Sequence, residues 1–260
     1  MAMNDMDDSD MIGAIKIKDG LFIGDEMAAQ DLEFVVANKV TRVINCAGRQ
    51  IPNHWEPIGV IYMTFFWGNE GNSKFKFYSL SPLNFLLFII IFMVLVSHTF
   101  RKLGLWHMKN IEGMAMTTNQ IFEFIEEALA NSESILVHSS RGQSRASAVI
   151  AIYMMKKYRW TLLKTLEFLN SRRPDLEIRA SFIQQINMYE SYLIRMGLGP
   201  RTQDWNEITD KTFYMENEEL LLRNTFLNAK MGPLVDYQQN NTDFTKKTKI
   251  RGRLVWADEK

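Results

Sequence analysis

Apolar and polar positions alternate over Ala14 to Lys18 and Leu21 to Ile23, around Asp19-Gly20, which predicts a short strand pair at the start of the fold. From Met27 to Asn38 the spacing becomes helical through Leu32, Val35 and Val36, and Val40 to Cys46 and Val60 to Phe66 return to strand character. Thr117 to Ala130 reads as a helix opened by threonine caps, with Ile121, Phe124, Ile125 and Leu129 on one face. It leads into the compact apolar strand Ile135-Leu136-Val137. Helical periodicity then fills Arg145 to Tyr158, Thr161 to Arg172 and Ser181 to Met196, with Pro174 closing the middle helix and Gly197, Gly199 and Pro200 punctuating the end. Strands and helices alternating in this way predict an α/β fold.

The same pattern sets the domain limits. Residues 1–12, rich in Asp and Asn, read as an acidic disordered tail, and 13–199 as one domain. Residues 200–260 read as a C-terminal extension, in which Asn217 to Ala229 has an amphipathic pattern through Leu220, Leu221, Leu222, Phe226 and Leu227. The basic run Lys246, Lys247, Lys249, Arg251 and Arg253 reads as a solvated tail.

One stretch breaks the rhythm. Residues 68–107 form a connection far longer than the few residues usual in an α/β unit. At its centre Phe85 to Val96 is an unbroken apolar run, shorter than the about 20 residues a membrane span needs. A single crossing there would also put the strands before Trp67 and the segment after Val137 on opposite sides of a bilayer, where they could not share a sheet. Three readings follow: an apolar helix packed on the domain or dipped into a membrane face through 83–100, a true anchor with a disrupted domain, or translated intron sequence. The topology disfavours membrane contact. The abrupt change of composition at both ends favours the intron, which sequencing the spliced transcript checks.

Composition narrows the function classes. At 47% hydrophobic and 12% aromatic, 260 residues bury a substantial core. Thirty basic and thirty acidic side chains cancel, so no global field recruits nucleic acid, and none is expected as a partner. The single cysteine, Cys46, excludes an internal disulfide and a multi-cysteine zinc site; in its apolar setting it reads as a buried free thiol. The start Met-Ala-Met-Asn-Asp-Met-Asp-Asp is acidic where a secretion signal is basic and then apolar, which leads us to expect a cytoplasmic protein, with the nucleus as alternative.

The chemistry lies after Val137. His138-Ser139-Ser140-Arg141-Gly142-Gln143-Ser144-Arg145-Ala146 joins a buried-type strand to a helix through a short polar loop with a glycine. Successive backbone N–H groups in such a loop converge on one oxyanion, the helix N-terminus adds about half a positive charge, and an arginine fork binds two oxygens at once. The expected guest is phosphate.

The stretch resembles the signature of the dual-specificity branch of the cysteine-dependent protein tyrosine phosphatases: His-Cys, two residues, Gly, one residue, Ser-Arg. Every fixed position matches except the cysteine, which is Ser139 here. Phe168-Leu169-Asn170-Ser171-Arg172-Arg173-Pro174, Phe182-Ile183-Gln184-Gln185-Ile186 and Tyr189-Glu190 resemble that family's helical tail, so the likeness covers most of Ile15 to Met196. It implies a central sheet flanked by helices and no cofactor or metal. It also implies that Arg145 grips the phosphoryl oxygens, Ser139 to Ser144 line the cradle with Ser140 to Ser144 supplying backbone donors, Ser144 assists the leaving step, and His138 supports the loop by hydrogen bonding.

Turnover is a separate matter. A thiol of pKa ~8.5 is readily ionised by a cationic loop. A serine hydroxyl is not, and serine nucleophiles rely on an adjacent base for which the motif has no candidate. The family also protonates its leaving group with an aspartic acid about thirty residues upstream. No aspartate occurs between Leu32 and Pro174, and the matching neighbourhood is Trp106-His107-Met108-Lys109-Asn110, with Glu112 the nearest carboxylate. The chain therefore reads as a phosphate-binding pseudophosphatase that takes phosphorylated Ser, Thr or Tyr proteins without efficient turnover. The rivals are an active dual-specificity phosphatase using Ser139 or water, and an interaction scaffold with a vestigial loop.

Overall fold

A computed structural model describes residues 12–66, 74–75, 106–107, 111–205 and 217–231. The acidic tail up to Met11, the apolar run Phe85 to Val96 and the basic run Lys246 to Arg253 lie outside them. The chain divides into two compact units, Met1–Ala146 and Ser147–Lys260, taken here in turn.

The first unit is a sheet with helices. Its elements are β1 (Ile15–Lys18), β2 (Leu21–Gly24), α1 (Glu26–Gln30), α2 (Leu32–Ala37), β3 (Val40–Asn45), a 3-10 turn (Glu56–Ile58), β4 (Ile61–Thr64), β5 (Lys74–Phe75), β6 (Trp106–His107), α3 (Ile111–Ala130) and β7 (Ser134–His138). Five strands lie in the order β1-β2-β7-β3-β4, with β1 antiparallel to β2 and the other pairings parallel. The α/β expectation is met. Gly24 and Asn45 flank His138 in register, and Thr64 lies opposite Asn45, so four parallel strands end along one edge. Ligands of open parallel sheets bind outside such carboxyl ends. β5 pairs antiparallel with β6, which brings Phe75 and Trp106 together.

Apolar burial assembles this unit. Phe22, Val35, Val40, Val43, Val60, Tyr62 and Leu136 form one cluster, and Phe34 meets Phe22 edge to face at 5.3 Å. Each such aliphatic or aromatic side chain contributes about 1.5–3 kcal/mol when fully buried.

Two helices differ from the sequence expectation. Met27 to Asn38 is not one helix, because Asp31 ends α1 and caps α2 by accepting the Phe34 N–H at 2.9 Å. Of the three apolar positions read as its face, Val35 is buried while Leu32 and Val36 are exposed. α3 begins six residues before Thr117. Thr118 is therefore no cap; it lies inside the helix and its hydroxyl donates to the Ala115 carbonyl at 2.9 Å. Ile121, Ile125 and Ala128 form the buried face of α3. Arg42, buried on β3, pairs with Glu127 of that helix at 2.8 Å and stacks over the Phe124 ring at 5.1 Å.

The second unit is helical. It contains α4 (Arg145–Tyr158) from its third residue, α5 (Leu162–Arg172), α6 (Ala180–Arg195) and α7 (Asn217–Met231). Thr161 caps α5 by accepting the Lys164 N–H at 3.0 Å. Burial continues past Gly199: Trp160 lies 4.9 Å from Trp205, centroid to centroid, and Trp205 lies 4.3 Å from Phe226 of α7. Glu219, also on α7 and buried, accepts from Trp160 Nε1 at 2.9 Å and from Arg201 at 3.1 Å. The amphipathic stripe of α7 is thus narrower than its leucines suggested, with Leu222 and Phe226 inside and Leu221 outside. No helix among the described residues is long and apolar enough to cross a membrane.

Candidate functional site

The loop after β7 is fastened from both sides. Ser139 N–H donates to the Gly24 carbonyl of β2 at 3.3 Å, and Glu26 N–H donates to the Ser140 carbonyl at 3.2 Å. On the other flank, Cys46 N–H donates to the His138 carbonyl at 2.8 Å. Gly142 then takes φ 71°, a left-handed conformation that glycine adopts without steric cost, and the chain turns into α4 at Arg145. The arginine therefore sits at a helix N-terminus, where backbone partial charge already favours an anion.

Inside the loop, the expected site residues Ser139, Ser140, Gly142 and Arg145 are joined by hydrogen bonds. Ser139 is buried, and its Oγ accepts the Gly142 N–H at 3.1 Å. Arg145 donates through Nη2 to Ser140 Oγ at 3.0 Å and to Gln50 Oε1 at 2.8 Å. The Ser140 hydroxyl donates to the same Gln50 oxygen at 2.8 Å. Gln143 and Ser144 are half-buried on this loop, and Arg141 is exposed.

Gln50 is the member that sequence reading missed. It belongs to no motif and carries no periodic signal. Its position comes from the segment after β3, where Gln50 N–H and Ile51 N–H both turn back to the Ala47 carbonyl, at 2.7 and 2.9 Å. Asn45, fully buried at the end of β3, anchors that turn. Its Nδ2 donates to the Ile51 carbonyl at 2.8 Å and to Asn53 Oδ1 at 3.0 Å, while its Oδ1 accepts the Ala47 N–H at 2.9 Å. Gly48 packs so closely on β4 that a Cβ there would lie 2.3 Å from Thr64 Cγ2.

Two groups near the loop are electrostatically quiet. Burial, the nearby His54 and then Arg145 push the His138 imidazole down to about 3, so it stays neutral at physiological pH and is a feeble base. Its buried Nδ1 makes no hydrogen bond, and its backbone carbonyl accepts the Cys46 N–H. Burial pushes the Cys46 thiol well up, and the opposing effect of Arg145 does not reverse this. The chain's single cysteine is therefore a protonated, solvent-shielded group.

The stretch in which the sequence analysis sought a proton donor falls at β6. Trp106 and His107 form β6, and the side chains from 106 to 112 lie outside the described residues. Asp25, next to Gly24, is buried with both oxygens committed, Oδ1 to Ala28 N–H at 3.0 Å and Oδ2 to Gly13 N–H at 2.6 Å. It caps α1. Among the described residues no three His, Cys, Asp or Glu side chains group as metal ligands.

Similarity to known proteins falls on the same region. Residues 97–192 match the family model of the dual specificity phosphatase catalytic domain. Protein phosphatase Slingshot homolog 3 of Mus musculus is 26% identical over 180 residues, 69% of this chain and 21% of that protein. Dual specificity protein phosphatase 1 of Arabidopsis thaliana is 34% identical over 82 residues, 32% of this chain and 41% of that protein. The chain thus spans well under two thirds of these curated relatives. Among solved structures, the human tyrosine phosphatase-like serine/threonine/tyrosine-interacting protein is 19% identical with a TM-score of 0.49, covering 70% of this chain and 98% of that one. Human DUSP28 is 20% identical with a TM-score of 0.45, covering 70% and 95%.

Proposed function

Because the chain belongs to the dual-specificity phosphatase family, we propose that it is a phosphate-binding pseudophosphatase, which holds phosphorylated Ser, Thr or Tyr proteins in the loop Ser139 to Arg145 without efficient turnover. One observation carries this reading: oxygen stands at the nucleophile position, as Ser139, while the chain's one sulfur nucleophile, Cys46, is buried and protonated. A hydroxyl needs a base to attack phosphorus, and neighbouring His138, held down to about 3, takes up protons poorly. Removing a covalent nucleophile costs on the order of 10⁶ in rate in the protease worked case, about 8 kcal/mol of barrier.

Binding has no such requirement. Loop amides, the first turn of α4 and the Arg145 guanidinium favour a dianion whatever atom sits at 139. Charge-assisted hydrogen bonds contribute about 1.5–3 kcal/mol each. Titrating a phosphotyrosine peptide and its unphosphorylated twin tests the reading. Saturable binding of the phosphopeptide alone, lost in Arg145→Ala, is the expected result. Equal binding of both peptides, or binding that survives Arg145→Ala, refutes the loop as the phosphate site.

A further inference from the structure

We propose that Gln50 is an internal competitor for the phosphate site, its carboxamide oxygen standing where a phosphoryl oxygen goes and leaving when phosphate arrives. This rests on the reading of the loop as a phosphate site and adds a residue that governs its affinity. The geometry is specific. Gln50 Oε1 accepts from the Arg145 guanidinium at 2.8 Å and from the Ser140 hydroxyl at 2.8 Å, one charged and one neutral donor of the loop meeting on a single oxygen. Ser140 Oγ in turn accepts from Arg145 at 3.0 Å, which closes a three-membered ring of hydrogen bonds. A phosphoryl oxygen bound by Arg145 needs the same guanidinium N–H.

The competitor is built in. Gln50 is exposed on a turn closed by two hydrogen bonds to the Ala47 carbonyl, and Asn45 beneath it is fully buried with its amide committed to that turn. A rigid base with a solvent-facing side chain lets the carboxamide swing away without disturbing the fold. Its oxygen is neutral, so a phosphate dianion is the stronger acceptor for the guanidinium and displaces it. The loss of two hydrogen bonds still counts against every anion that binds. At a net 0.5–1.5 kcal/mol per bond, the two bonds of the resident amide lower phosphate affinity by about 5- to 150-fold.

Calorimetric titration of inorganic phosphate and of O-phospho-L-tyrosine into the full chain tests this, using wild type, Gln50→Ala, Gln50→Glu, Arg145→Ala and the double variant Gln50→Ala/Arg145→Ala. Gln50→Ala is expected to bind both ligands about 5- to 150-fold more tightly than wild type. Gln50→Glu, whose carboxylate pairs with Arg145, is expected to bind about 10-fold more weakly or worse. The gain from Gln50→Ala is expected to vanish once Arg145 is alanine, which a general loosening of the turn would not produce. If wild-type binding depends on Arg145 but Gln50→Ala binds equally or more weakly, the competition is refuted while the phosphate site stands. If wild type and Arg145→Ala bind phosphate alike, or neither binds, the phosphate site falls and the competition with it.

Discussion

Cys46 and Ser139 occupy matching places on neighbouring strands, each the first residue after a parallel strand ends, with Asn45 and His138 paired before them. Their surroundings differ in the one respect that matters for phosphoryl chemistry. Ser139 opens a loop whose amides, arginine and helix terminus favour negative charge, but its hydroxyl holds its proton. Cys46 has the ionisable atom, yet it lies in the core, where burial raises its pKa despite Arg145. On the proposed reading a cysteine-type nucleophile needs both the atom and the field, which this chain places one strand apart. An anion needs only the field.

That contrast can be broken most forcefully by moving sulfur into the field. Ser139→Cys is expected to give only weak turnover of an aryl phosphate, because positioned general acids contribute about 10²–10⁴-fold. Adding an aspartate near His107 in the same protein is expected to recover part of that factor. Activity ordinary for the family from Ser139→Cys alone would show that another group supplies the proton.

A smaller effect concerns protons on the flank of the loop. His138 is depressed in the folded state, so between about pH 6.5 and 3 the unfolded chain binds a proton that the folded chain does not. Stability from this residue is complete above about 6.5 and drains away as pH falls toward 3, by an amount on the order of a few kcal/mol. Urea unfolding from pH 7 to 5, above the range in which carboxylates titrate, should show the decline, and His138→Phe should flatten it. An unchanged slope in the variant would mean that His138 is not the group responsible.

Smaller again is the turn that presents Gln50. Gly48→Ala, with its Cβ pressed on Thr64, is expected to destabilise by about 1–3 kcal/mol, read as a lower urea midpoint. The corresponding test far from the site is Lys16→Ala, which removes an exposed pair with Asp19 and is expected to change stability by at most about 1 kcal/mol.

Legibility in the sequence followed the range of the interactions. Arg145 to Tyr158 was readable to the residue, since helical spacing and a polar loop before it are local signals. At the next helix the spacing placed the start at Thr161, which instead stands one residue ahead of α5 as its cap. Asp31 splitting a helix was missed because apolar spacing ran through it, whereas its carboxylate preferred the Phe34 N–H. Trp205 and Glu219 were read as part of an extension because glycine and proline at 197–200 look like an end. Their burial depends on Trp160, more than forty residues earlier in the chain. Gln50 was illegible for the same reason: its partners, Ser140 and Arg145, are 90 and 95 residues away.

The most direct measurement is turnover of para-nitrophenyl phosphate by the pure protein, in the preparation shown to bind a phosphotyrosine peptide. Binding accompanied by hydrolysis no faster than that of Arg145→Ala is the expected result. Hydrolysis at rates ordinary for a cysteine phosphatase, abolished by Arg145→Ala, would contradict it and make Ser139, or water beside it, a working nucleophile.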